Sequence, residues 1–113
     1  MKYAFELKSD TTIDGVVKAL DKGGVGFLAF VDDQGKLKGV ITDGDLRRGI
    51  LNKDLSVQAV INYSPISMGE CESKESIIAE LKQIHRRHMP LVDEAGVLVS
   101  VFFLDDIEFI TKK

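Results

Sequence analysis

The chain repeats itself at a fixed spacing, and this limits the folds open to it more than any other feature. Residues 31–46, Val-Asp-Asp-Gln-Gly-Lys-Leu-Lys-Gly-Val-Ile-Thr-Asp-Gly-Asp-Leu, return at 92–107 as Val-Asp-Glu-Ala-Gly-Val-Leu-Val-Ser-Val-Phe-Phe-Leu-Asp-Asp-Ile, with no insertion. Val31/Val92, Asp32/Asp93, Gly35/Gly96, Leu37/Leu98, Val40/Val101 and Asp45/Asp106 are identical pairs, 61 residues apart. The same offset matches Thr12 with Ser73, Asp14 with Glu75, Val16 with Ile77, Val17 with Ile78 and Leu20 with Leu81. A register kept over two separate stretches indicates internal duplication. Each half of a 113-residue chain is too small to bury a full core alone. The expected organisation is therefore one compact module of two repeats, residues 1–54 and 55–113.

Periodicity gives the same order of elements in each half. Tyr3 to Leu7 alternates as a short edge strand does. Ser9-Asp10-Thr11-Thr12 supplies helix-capping side chains, and Ile13, Val16, Val17 and Leu20 form one helical stripe. Gly23-Gly24 stops that helix, since glycine takes the left-handed conformation at little cost. Phe27 to Val31 reads as a buried strand, Asp32 to Gly35 as a turn, and Leu37 to Ile41 as the returning strand. Thr42-Asp43-Gly44-Asp45 then caps a helix whose inner face carries Leu46, Ile50 and Leu51. A connector at 52–65 holds a short helix around Val57–Ile61. In the second half the expected elements are a strand at Ile66–Met68, a helix capped by Ser73 and a strand from Met89 to Val92. A strand from Leu98 to Phe103 and a last helix from Leu104 to Ile110 complete it. The fold class is thus α/β of the α+β kind, two βαββα repeats related by a pseudo-two-fold axis and packed sheet to sheet.

Composition narrows the function. A net charge of −3 disfavours a nucleic-acid surface, which needs clustered excess cations. Cys71 is the only cysteine, so no internal disulfide forms and a reducing compartment fits. No apolar run approaches the roughly 20 residues of a membrane helix, and no signal-peptide core opens the chain. The expected location is cytoplasmic, with no membrane partner.

The segment richest in chemistry is Gly39-Val40-Ile41-Thr42-Asp43-Gly44-Asp45-Leu46-Arg47-Arg48, where a strand ends and a helix begins. Free first-turn N–H groups and the positive helix end favour an anion there. The Thr42 hydroxyl can donate to a phosphate oxygen, and the Asp45 carboxylate can accept both hydroxyls of a ribose. Arg47 and Arg48 add charge-assisted bonds. The same spacing equally suits Thr42 and Asp45 as plain helix caps.

Over essentially its whole length the chain resembles a tandem pair of CBS (cystathionine β-synthase-type) domains, a Bateman module. The resemblance lies in the Gly-hydrophobic-hydrophobic-Thr/Ser-x-x-Asp motif, met in full by Gly39 to Asp45. It also lies in Arg87-His88-Met89-Pro90-Leu91-Val92-Asp93, similar to the family's strand entry. The resemblance implies a non-enzymatic regulatory module that binds an adenosine or other nucleotide, such as AMP or ATP, with no tightly bound cofactor. Thr42 would meet phosphate and Asp45 ribose, with Gly39, Asp43 and Arg47 around them. Arg87 and His88 are further phosphate candidates, and Asp106 is the acidic residue of the second motif. That second motif departs from the pattern, because Phe103 stands where Thr or Ser belongs.

The resemblance further implies a homodimer attached to, or partnered with, an enzyme. The run from Thr42 to Leu51 is most similar to the N-terminal CBS pair of bacterial nucleotidyltransferases that make nucleotide sugars, a setting that a start near Met1 favours. The alternatives are the CBS pair of a sugar-phosphate isomerase, such as arabinose-5-phosphate isomerase, or a ligand-free dimerisation module.

Other features read more simply as structure. Gly23-Gly24-x-Gly26 follows a helix and enters a strand, the reverse of a phosphate-binding glycine loop. Asp43-x-Asp45 lacks calcium-loop spacing, and His85 with His88 lacks a third ligand, so no metal site is expected. Acidic neighbours disfavour a Cys71 thiolate. No nucleophile–base pair is present for catalysis.

Overall fold

The computed structural model describes residues 3–104. They form a mixed α+β fold with two three-stranded sheets, in the order β1 (Ala4–Glu6), α1 (Ile13–Gly23), β2 (Phe27–Val31), β3 (Leu37–Thr42), α2 (Asp43–Leu51), α3 (Val57–Val60), β4 (Met68–Gly69), α4 (Lys74–Ile84), β5 (His88–Val92) and β6 (Leu98–Phe103). The chain divides into two compact units, the first running through Pro65 and the second beginning at Ile66.

In the first unit β1 pairs parallel with β2, and β2 pairs antiparallel with β3. Thr12 starts α1 by accepting the Gly15 N–H at 3.1 Å, and Gly24 ends it in the left-handed region at φ 72°. Helical spacing then turns Val16 and Leu20 inward onto Leu28, Phe30 and Ile41, with Val60 and Ile61 closing the same core. Full burial of side chains such as Leu28 or Phe30 contributes about 1.5–3 kcal/mol each. The free edge of β3 is covered by the connector, since Val40 and Asn62 exchange backbone hydrogen bonds at 3.0 and 2.9 Å. This approach requires glycine at 39. A Cβ there would lie 2.8 Å from Ile61 Cγ2 and 2.9 Å from the Asn62 carbonyl oxygen.

The second unit repeats the plan. β4 pairs parallel with β5 and β5 antiparallel with β6, around a core of Ile77, Leu81, Met89, Leu91 and Leu104. The duplication is kept in detail. Asp32 Oδ1 accepts the Gln34 and Lys36 N–H groups, and Asp93 Oδ1 accepts those of Ala95 and Val97, all at 2.9–3.0 Å. Gly35 and Gly96 complete the two turns at φ 81° and 84°, and both hairpins shift register before the turn, at Phe30/Val31 and Leu91/Val92.

Three expectations need revision or fall outside the description. Ile50 and Leu51 do not lie on an inner face: they are 61% and 73% exposed, and only Leu46 of that trio packs on the core. The buried face of α2 is instead made at Gly49, whose missing side chain admits Val60 of α3 and the Asp54 carbonyl. The first strand of the second unit is Met68–Gly69, later than the expected Ile66–Met68. The expected helix from Leu104 to Ile110, and Asp106 with it, lies outside the described residues beyond Leu104.

Candidate functional site

The candidate site is the junction of β3 and α2. Thr42 is the last strand residue and the N-cap of α2, with extended backbone at φ −125°. Its hydroxyl oxygen accepts the Asp45 N–H at 3.3 Å, and Asp45 Oδ2 accepts the Thr42 N–H at 2.9 Å. This reciprocal capping box satisfies two amides that would otherwise lack partners. The Thr42 hydroxyl proton is also engaged, donating to Asp45 Oδ2 at 3.1 Å. The other carboxylate oxygen, Oδ1, bonds Arg48 Nη2 one turn further on. Thr42 and Asp45 therefore do cap the helix, and the carboxylate is held in one orientation by the N-cap on one side and Arg48 on the other.

Access favours the outer side of this pair. The Asp45 side chain is 18% exposed and that of Arg48 64%. A cleft of about 220 Å³ opens beside them, lined also by Asn52, Asp54 and Val60. Ligand pockets for drug-sized molecules run from about 300 Å³ upward. This cleft alone is thus too small for a whole nucleotide, although it leaves Asp45 and Arg48 reachable from water.

The remaining expected residues are placed as follows. Asp43 is exposed on the first turn, its N–H donating to the Gly26 carbonyl at 3.2 Å. A Cβ on Gly26 would meet the Asp43 carboxylate at 2.8 Å, so Gly26 makes room for that group. Gly39 is buried beneath Ile61 and Asn62, where its role is close backbone packing. Arg47 is exposed beside Gly44. In the second unit Arg87 is exposed just before β5, and its carbonyl accepts the Leu104 N–H at 2.9 Å. His88 is the first residue of β5, half-buried, with its ring edge-on to Phe103 at 5.5 Å.

The Phe103 substitution has a structural counterpart. Thr42 faces Phe27 across the first hairpin, and Phe103 faces His88 across the second. The aromatic side chain has changed strands between the repeats. The polar group at this level comes from the third strand in one unit and from the second strand in the other. The bond from Arg48 to Asp45 was not anticipated from sequence. Its signal was the i, i+3 spacing that brings side chains together on a helix.

Among the described residues no three His, Cys, Asp or Glu side chains converge as metal ligands, and no helix is long and apolar enough to cross a membrane. Cys71 is exposed.

The strand order of one parallel and one antiparallel pair, met in both units, defines a class of tandem α+β repeats, with the capped strand-to-helix junction described in the first. Residues 3–52 match the family model described as the CBS domain. A CBS domain-containing protein of Dictyostelium discoideum is 25% identical over 120 residues, covering 94% of this chain and 83% of that protein. The arabinose 5-phosphate isomerase GutQ of Escherichia coli O6:H1 is 32% identical over 90 residues, covering 77% of this chain but only 28% of the isomerase. Among solved structures, the CBS domain pair of protein MJ0100 in complex with 5′-methylthioadenosine and S-adenosyl-L-methionine superposes with a TM-score of 0.85 at 22% identity, over 98% of this chain and 93% of that one. The CBS domain protein PAE2072 from Pyrobaculum aerophilum, complexed with AMP, gives 0.80 at 22% identity, over 94% and 84%. The family model thus covers the first repeat, and the solved CBS domain pairs share the fold of nearly the whole chain.

Proposed function

We propose that the chain is a regulatory module that binds a nucleotide, adenosine-based or another, and controls an attached or partner enzyme rather than catalysing a reaction itself. The observation that carries this reading is the Thr42–Asp45 pair, standing at a strand-to-helix junction inside the segment that matches the CBS family. The adenosine ligands named for the MJ0100 and PAE2072 structures support the choice of ligand class. In this reading Thr42, Asp43, Asp45 and Arg47 contact the nucleotide at the first repeat, with Gly39 shaping the strand beneath. Arg87 and His88 are further phosphate candidates, and Asp106 is the acidic residue of the second motif. The module acts by binding its ligand more tightly in one state of the assembly than in the other.

Two enzymes fit as the regulated partner. A nucleotidyltransferase of nucleotide-sugar synthesis is the partner that the resemblance of the run at Thr42 to Leu51 implies. A sugar-phosphate isomerase is favoured by the likeness to GutQ, of which this chain matches about a quarter. The coding sequence flanking this chain decides between them.

Calorimetric titration with AMP, ATP, S-adenosyl-L-methionine and CTP tests the reading. Saturable binding of at least one, lost in Asp45→Asn, is the expected result. Absence of any binding at millimolar ligand would leave the second reading, a dimerisation module without ligand. That reading is favoured by the exposed Ile50 and Leu51 on α2, and sedimentation of Leu51→Asp against the parent chain tests the proposed homodimer.

A further inference from the structure

We infer that Arg48 guards Asp45 against sugars that carry no anionic group, an inference that rests on the nucleotide-binding reading above. A carboxylate offers about four lone-pair positions. Asp45 Oδ2 already accepts the Thr42 N–H at 2.9 Å and the Thr42 hydroxyl at 3.1 Å, and Oδ1 is taken by Arg48 Nη2. One position on Oδ1 remains. A ribose that donates both hydroxyls needs two, so it docks fully only when Arg48 lets go.

While it bonds Asp45, the Arg48 guanidinium also borders a second position beside Gly44. The point where a Cβ of Gly44 would sit lies 3.5 Å from Arg48 Nη1, 3.9 Å from Arg47 Nη2 and 3.6 Å from the Thr42 hydroxyl oxygen. The missing side chain leaves a space ringed by two guanidinium groups and one hydroxyl, within the first turn of α2. A phosphate entering that space takes Arg48 by a charge-assisted bond and frees Oδ1 for the sugar of the same ligand. Arg48 is mostly exposed, and surface ion pairs are weak enough to exchange. The ligand class selected is a phosphorylated ribonucleoside. A bare nucleoside has no anion to draw the arginine away.

Binding of AMP and of adenosine to the full chain, and to Arg48→Ala and Arg48→Lys, tests this by equilibrium dialysis. In the parent chain AMP binds more tightly than adenosine. In Arg48→Ala, AMP weakens while adenosine strengthens, so the preference narrows by about tenfold or more, the worth of one charge-assisted bond. Arg48→Lys keeps a cation and recovers part of the preference. A residue that merely braced the helix would weaken both ligands together. Parallel weakening, an unchanged AMP-to-adenosine ratio in Arg48→Ala, or equal binding of both by the parent chain overturns the role of Arg48 alone. Failure of the parent chain to bind AMP or any other nucleotide overturns the nucleotide-binding reading as well. Thermal melting of each variant verifies that it is folded.

Discussion

Gly24 and His85 hold the same place in the two repeats and adopt the same left-handed backbone, at φ 72° and φ 57°. Each ends its helix by donating its N–H to the leucine carbonyl four residues earlier, Leu20 and Leu81. Glycine suits this conformation, whereas a side chain there costs about 1–2 kcal/mol. His85→Gly should therefore stabilise the protein by a few tenths to about 1 kcal/mol, part of the gain being offset by the freer unfolded chain. Gly24→Ala should lose about 1 kcal/mol, although a Cβ at Gly24 would meet nothing within 4 Å. Urea unfolding of both variants checks the pair, and equal midpoints for the parent chain and Gly24→Ala would refute the backbone argument.

The capping box at the β3–α2 junction makes Thr42 a structural residue whatever it binds. Thr42→Ala removes the acceptor for the Asp45 N–H and one of two donors to Asp45 Oδ2. The expected loss is about 1 kcal/mol, visible as a lower melting temperature, while Thr42→Ser keeps the hydroxyl and most of the stability. Any effect of Thr42→Ala on nucleotide binding should be read at a temperature where the melting curve shows both proteins folded. A Thr42→Ala variant as stable as the parent would mean that the cap contributes nothing measurable.

Much of the fold was legible because the duplication is nearly exact in register. The capping residues Thr12 and Ser73, the turn aspartates Asp32 and Asp93 and both hairpins all keep the offset of 61. The first strands do not. The Leu7 N–H reaches the Val31 carbonyl while the Glu70 N–H reaches Val92, an offset of 63, so the link into α4 is two residues shorter than that into α1. A strand of two residues has too little alternation to reveal its position. Ile50 and Leu51 were misplaced because helical spacing identifies an apolar stripe but not what it faces. Here the Gly49 side of α2 is the one that meets α3. At the site, the Thr-x-x-Asp spacing announced a capping box. It could not reveal that the hydroxyl proton, and not only the backbone, is committed to the carboxylate.

Gly39 tests how tightly the connector is held against β3. Its Cβ in Gly39→Ala would sit under 3 Å from both Ile61 Cγ2 and the Asn62 carbonyl oxygen. The connector would have to move off β3, weakening the Val40–Asn62 bridge and the burial of Ile61. Overpacking of this kind costs about 1–3 kcal/mol. Hydrogen exchange at the Val40 and Asn62 amides should rise along with the loss of stability. Unchanged protection of both amides would show that β3 can accommodate the methyl group.

Asp32 gives the stability of the first hairpin a defined dependence on acid. The Lys36 backbone N–H holds its carboxyl below the ordinary carboxylate range against an opposing cost of desolvation, with further help from the Gln34 N–H and the charges of Lys38 and Lys36. A folded value below the unfolded one means that the carboxylate stabilises the protein fully above about pH 4. That contribution drains away as the pH falls through the depressed folded value. Asp32→Asn keeps an oxygen to accept the Gln34 and Lys36 N–H groups but carries no charge, so it removes the titration while leaving the turn intact. The parent chain should therefore exceed Asp32→Asn in urea midpoint at pH 7, and the gap should shrink steadily from about pH 4 downward. A gap that stays constant into the acid range would assign the difference to turn geometry rather than to the charge on Asp32.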